Sequence, residues 1–187
     1  MLPKDRWDDV RDATRIPSGD ATRSSRPLGA GRQIVEIRKI RSEEHNAWLA
    51  LRQLLWPDHP MDELKREQRQ LLAESNRNSV RVAAPPSGEL VGFVEVSLRD
   101  WAEGCASQPV GYIEGWYVQP AHRRAGVGRQ LIQAAENWAL SQGCTEMGSD
   151  AELWNEVSQL THHALGYSEA TRLVCFSKKL AGQEAAI

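Results

Sequence analysis

The sequence predicts an α+β fold: a central mixed, mostly antiparallel twisted sheet flanked by helices, stacked as three layers, α/β/α. Three observations carry this prediction. Short segments alternate apolar and polar side chains with the period of a strand. Longer ones repeat apolar side chains at helical spacing and stop at Pro57, Gly143 or Gly166. One strand–helix–strand run has no hairpin turn, so its two strands must lie parallel within the sheet.

Taken in order, residues 1–32 are rich in Asp, Arg, Ser, Gly and Pro without apolar periodicity, and they read as a flexible extension; the domain is expected at 33–187. It opens with IVEIRKI (34–40), where Val35 and Ile37 alternate against Ile34, Glu36, Arg38 and Ile40. Ser42 is expected to cap a helix with Glu43 and Glu44 in its positive first turn, an apolar stripe of Ala47, Trp48, Leu51 and Leu55, and a stop at Pro57. A second helix follows from Met61 to Ser75, with Leu64, Leu71 and Leu72 on one side. SVRVAA, the turn PPSG and ELVGFVEVSLR then form a hairpin. The polar loop DWAEGCASQP leads to the strand GYIEGWYV, and the next helix runs to Ser141 with Gly143 in the terminating position. CTEMGSD reads as a short strand, Asn155–Leu165 as a helix closed by Gly166, and YSEATRLVCFSKKL (167–180) as a long final strand.

The length supports a single domain with a sizeable core. Hydrophobic residues at 41% and charged residues at 26% exclude a disordered or collagenous chain. No stretch approaches the ~18 apolar residues of a membrane span. The start MLPKDRWDDVRDATR lacks the apolar centre of a signal peptide, so a cytoplasmic protein is expected. Cys105, Cys144 and Cys175 are odd in number, widely spaced and without a CxxC pair; they read as free thiols, and no metal is expected. Residues 1–33 carry seven basic and five acidic side chains, leaving 16 basic against 20 acidic beyond them. A domain charge of −4 argues against nucleic acid and permits a cationic partner.

The densest pattern is EGWYVQPAHRRAGVGRQLIQAAENWA, residues 114–139. A helix starting just after a glycine-rich turn presents unpaired N–H groups and a positive dipole end, which bind phosphate without any side chain. Gly126 and Gly128 let backbone come close to a ligand, and Arg123 and Arg124 add charge. A solvated turn is the other reading of the same residues. The loop is no Walker A motif, lacking Lys-Ser/Thr, and it has two of the three glycines of the dinucleotide fingerprint.

The element order together with YVQPAHRRAGVG resembles the GCN5-related N-acetyltransferase (GNAT) superfamily across residues 34–180. Within it, LWPDHP, SLRDWAEGC, EGWYVQP, GCTEMGSD and N-x-x-SQ-x-x-H-x-ALGY, in that order, resemble the bacterial aminoglycoside 6'-N-acetyltransferases. The resemblance implies the GNAT fold, acetyl-CoA as cosubstrate, direct acetyl transfer to the 6'-amine of an aminoglycoside in a ternary complex, antibiotic resistance and a homodimer. It implies that Arg123, Arg124, Ala125, Gly126, Val127, Gly128 and Arg129 hold the pyrophosphate, that Trp116, Tyr117 and Val118 lend backbone groups to the pantetheine arm, and that Asn155 touches that arm.

Glu114, between Ile113 and Gly115 in a strand, needs a partner for its charge, and Asp150 ends the neighbouring strand, so both are expected to face one cleft suited to a polycation. The resemblance places both at aminoglycoside-binding positions and adds Trp56 and Trp101. Glu114 or Asp150, through water, would accept the amine proton, and a backbone N–H near Tyr117 or Val118 would serve the oxyanion. His162 stands where many relatives carry a tyrosine thought to protonate the thiolate, and Thr171, beside Glu169, stands where some place a further acid. Other readings remain: a salt bridge for Glu114, a helix cap for Asp150, core packing for the tryptophans and a packing role for His162, the reading favoured for that residue. Other functions also remain, namely acetylation of a different cationic amine (polyamine, protein N-terminus or lysine) and a non-catalytic acyl-CoA sensor.

Overall fold

The computed structural model describes residues 34–178, so the expected extension at 1–32 and its boundary with the domain lie outside the described residues. Five strands form one sheet in sequence order. They are β1 (Glu36–Lys39), β2 (Asn78–Ala84), β3 (Gly92–Arg99), β4 (Val110–Val118) and β5 (Met147–Ser149). The first four pair antiparallel, and β4 with β5 is the parallel pair that the crossover requires. The helices are α1 (His45–Leu55), α2 (Met61–Ala73), α3 (Val127–Ser141) and α4 (Glu156–Leu165).

Alternation along the strands sorts the core into two layers, one on each face of the sheet. Val80, Val82, Ala84, Leu90 and Phe93 pack with Trp48 and Leu51 of α1. Ala83, Val91, Val94 and Val96 point the other way, with Ile113, onto Leu131, Ile132 and Ala135 of α3. Full burial of a leucine such as Leu131 is worth about 1.5–3 kcal/mol, so this stripe fixes α3 more firmly than its helix propensity does.

Three expectations need correction or refinement. Ser42 opens a 3-10 turn (Ser42–Glu44) rather than capping α1, because Glu44 is drawn back by Arg38, at 2.6 and 2.7 Å, and by the Arg41 N–H at 2.9 Å. The Arg38 hydrogen bonds, with the backbone bond from Arg41, hold the Glu44 carboxyl at a pKa of about 2 despite its desolvation. The long final strand does not form over its described part: residues 167–178 pair with no strand among the described residues, and 179–180 lie outside them. LVCF is apolar on both faces and needs cover on both, yet Leu173, Val174 and Phe176 lie exposed and β5 offers only three residues of edge. Gly143 and Gly166 do terminate α3 and α4, with φ of +86° and +98°. Among the described residues no helix is long and apolar enough to cross a membrane.

Candidate active site

Nine residues long, β4 pairs with β5 only through Gly111, Tyr112 and Ile113. From Glu114 to Val118 it parts from β5, leaving a gap that leads to the start of α3. The chain turns there through a 3-10 turn at Pro120–His122, enters left-handed backbone at Arg124 (φ 60°) and Gly126 (φ 84°), and begins α3 at Val127. No side chain caps α3, so its first N–H groups and the positive end of its dipole remain available.

Each loop residue has a distinct physical reason. Gly126 is demanded by its φ; a Cβ there meets nothing closer than Gln130 Nε2 at 3.9 Å. Gly128 has a packing reason as well: a Cβ would stand 2.7 Å from the Trp116 ring, so this glycine lets α3 pack onto β4. Val127 is buried in the core, while Ala125, Arg124 and Arg129 are exposed. Arg123 Nε donates to Val118 O at 2.8 Å, with its guanidinium over Tyr117, and so pins the turn to the end of β4. Arg129 donates to Ala164 O and ties α3 to α4. The run 122–129 contains no acidic side chain, and the Trp116 indole N–H beneath it is buried without a partner. Backbone donors, Arg124 and this absence of acids suit linked phosphates.

Beyond the gap lie the two acids. Gly115 faces Glu95 and Ile113 faces Val96, which leaves Glu114 as the extra residue of a bulge that re-aims its side chain. Its Oε1 accepts from Ser97 Oγ at 2.5 Å and Arg99 Nε at 2.9 Å, and its Oε2 accepts from Arg99 Nη2 at 2.6 Å. The Arg99 guanidinium lies 3.4 Å from the centre of the Tyr112 ring, and Tyr112 Oη donates to Asp150 Oδ1 at 2.9 Å. Burial first, then Asp150, pushes the Tyr112 hydroxyl above its ordinary pKa, so it stays a donor. Burial works against the charge of Arg99, but Glu114 more than reverses it and raises the pKa. The salt-bridge reading of Glu114 therefore holds in this state, whereas α4 is capped by Asn155 and not by Asp150.

Ile113 pairs with Ser149, so Glu114 and Asp150 follow one another across the parallel register as expected. They do not share one cleft. Glu114 lines a cavity of about 390 Å³ with Trp56, His59, Glu67 and Glu74. Asp150 lines a hollow of about 1050 Å³ with Tyr112, Ser149, His162 and Tyr167. Arg99 stacked on Tyr112 links one acid to the other.

The remaining expected residues fall at varied distances from this network. Trp56 lies on the backbone of Gly115, where a Cβ would meet its ring at 2.5 Å, and its face carries the Arg52 guanidinium at 5.0 Å. Trp101 is 67% exposed and lines neither cavity. Asn155 commits its Oδ1 to the Ser158 N–H at 3.0 Å. His162 Nδ1 meets Ser158 O at 2.8 Å, which places the proton on Nδ1, and Nε2 accepts from Ser149 Oγ at 2.9 Å. Its ring stands edge-on to Trp116 and Tyr167. Glu169 pairs with Arg172, and Thr171 lines the larger hollow.

Sequence reasoning missed Arg52, Glu95, Ser97, Arg99, Tyr112 and Glu146. Glu95, Ser97 and Arg99 alternate on one strand, a legible signal of a polar face, but their partners depend on a bulge that no local pattern announces. Glu95 is 1% exposed, 2.8 Å from Arg52 and 2.9 Å from the Trp48 indole; burial pushes its pKa up to about 7 against the pull of Arg52. Glu146 accepts from the Ala106 N–H at 2.8 Å and pins the 100–109 loop.

The chain is similar to proteins of known activity along most of its length. The acetyltransferase (GNAT) family model matches residues 48–167. The aminoglycoside N(6')-acetyltransferase type 1 of Klebsiella aerogenes is 41% identical over 146 residues, 77% of this chain and 96% of that protein. Among solved structures, AAC(6')-Iy in complex with the bisubstrate analog CoA-S-monomethyl-acetylneamine superposes with a TM-score of 0.74 at 34% identity, over 79% of this chain and 99% of that one. The apo aminoglycoside 6'-N-acetyltransferase AAC(6')-IG of Acinetobacter haemolyticus gives 0.72 at 38% identity, over 78% and 99%. With the parted β4–β5 pair and the uncapped helix start in place, the chain belongs to the acetyltransferase (GNAT) family.

Proposed function

We propose that the protein transfers the acetyl group of acetyl-CoA to the 6'-amino group of aminoglycoside antibiotics by direct attack in a ternary complex, and so confers resistance. One observation carries this reading: an anion-binding helix start opens along a parted strand edge onto two carboxylates in adjacent register. The similarity to aminoglycoside 6'-N-acetyltransferases supports the acceptor.

Acetyl-CoA, when bound, supplies an activated acetyl thioester. The N–H groups of the 125–129 segment and the Arg124 guanidinium hold its linked phosphates, Arg123 keeps the turn in place, and the backbone of Trp116, Tyr117 and Val118 guides the arm toward the acids. Asn155 flanks that arm at the head of α4. Main-chain N–H groups near Tyr117 and Val118 stabilise negative charge on the carbonyl oxygen. Asp150, exposed and bonded through one oxygen to Tyr112, takes the amine proton through water. Glu114, with both oxygens engaged, orients the substrate's cations, beside Trp56 at the smaller cavity and Trp101 on the outer loop. His162 in its neutral form has no free N–H and holds α4 against β4 and Tyr167; donating a proton to the thiolate requires its charged form.

The exposed apolar side chains of α4 and the terminal segment, Val157, Leu160, Leu173, Val174 and Phe176, support a homodimer, checked by light scattering during gel filtration. Three free cysteines support a cytoplasmic location. A thiol-release assay with kanamycin, tobramycin, spermidine and a lysine peptide tests the function, with the product's 6' position read by NMR. Release with aminoglycosides is expected; release with spermidine or peptide alone replaces the acceptor, and coenzyme binding without release favours a sensor.

A further inference from the structure

We propose that Arg99 is a displaceable resident cation: in the acceptor-free enzyme it occupies Glu114 in place of a substrate ammonium, and a polycationic acceptor binds by taking Glu114 from it. The inference rests on the acceptor reading above and goes beyond it by naming a specificity-determining residue. Both oxygens of Glu114 are held by the guanidinium fork, and Ser97 donates to one of them as well. A carboxylate so engaged has little capacity left for an incoming ammonium unless one resident donor leaves.

Arg99 is placed to leave. It is the last residue of β3, where the chain enters the 100–109 loop, and its side chain is 40% exposed beside a Glu114 that is 27% exposed. The Tyr112 face, 3.4 Å away, already carries the guanidinium and can retain it once Glu114 is released. Exchange replaces charge-assisted hydrogen bonds with others of the same kind, so it costs little, whereas a neutral acceptor offers nothing in return. Arg99 and its stack on Tyr112 also link Glu114 at one cavity to Asp150 at the other. Its release of Glu114 leaves that carboxylate open alongside the free oxygen of Asp150, and an acceptor with several separated ammonium groups can engage both.

The test is tobramycin binding by calorimetry to the wild type, Arg99→Gln, Glu114→Gln and the double variant, with melting temperatures as a folding control. Arg99→Gln is expected to bind roughly three- to fivefold more tightly, the scale of one exposed ion pair, and the gain is expected to vanish in the Glu114→Gln background. Arg99→Lys, which keeps the charge and loses the fork, is expected to fall between, and it carries the test if Arg99→Gln does not fold. Weaker or unchanged binding overturns the proposal, as does an equal gain in both backgrounds, which marks long-range charge, or no binding by any variant. Thiol release by the wild type judges the acetyl-transfer reading separately: binding that tightens in Arg99→Gln without any release would sink that reading and leave the exchange standing.

Discussion

Two arginine–carboxylate pairs involve β3, one at its middle and one at its end, and their surroundings give them opposite characters. Arg52 and Glu95 keep 4% and 2% of their side-chain surface, and Arg52 also donates to Leu64 O at 2.7 Å and to Glu67 at 3.1 Å. Arg99 and Glu114 keep 40% and 27%. The first pair joins α1, α2 and the sheet in a dry setting where neither charge has water to fall back on. The second is partly exposed, with Glu114 on the wall of the smaller cavity, where water or a ligand can replace either partner. The same chemistry thus serves architecture at one position and exchange at the other, and accessibility decides which.

The largest effect should come from breaking the buried pair. Arg52→Met leaves Glu95 without its counter-ion and should cost about 3–5 kcal/mol in urea unfolding, while Arg52→Met with Glu95→Leu should recover most of it. A loss below ~1 kcal/mol for the single variant would place this pair in the same class as the outer one. At the exposed acid proposed as the base, Asp150→Asn should lower kcat/KM for tobramycin about 10²-fold with coenzyme affinity retained. Parallel loss of both would mark Asp150 as structural.

A smaller effect concerns the loop, where Gly126→Ala forces a side chain into left-handed backbone; about 1–2 kcal/mol of strain and weaker coenzyme binding are expected, read by melting and calorimetry. The buried acid adds a pH response. The folded-state pKa of Glu95, raised to about 7, means that the folded protein holds a proton the unfolded chain releases above its ordinary value of 4.5. Stability from this group therefore falls as pH rises from 4.5 to 7 and is level above, so Glu95→Gln should flatten that part of the melting profile. Glu44, held at about 2, acts with the opposite sign: its contribution is present above pH 4.5 and fades as pH falls toward 2.

Much of this arrangement was legible in local pattern. Strands β1 to β5, the four helices, the glycines that end α3 and α4, and the loop leading into α3 all follow from periodicity and backbone preference, which act between near neighbours. Glu114 and Asp150 were identifiable as acids near strand ends. Their partners were not, because Arg99 reaches Glu114 only through the β3–β4 bulge, and Tyr112 reaches Asp150 only through a parallel pairing made across α3. The expected final strand failed for a related reason, since an extended apolar segment becomes a strand only when a neighbour supplies its hydrogen bonds.

By itself the sequence determined five of the strands and the four helices, where α3 and α4 stop, and which helix begins after a glycine-rich turn, since these depend on side-chain period, proline and glycine. Tertiary structure alone decided which charges neutralise one another, which cavity each acid lines, and that Gly128 makes room for the Trp116 indole. Electrostatic pairing and steric fit depend on distances of a few ångströms between residues far apart in the chain, and register and bulges, not composition, set those distances.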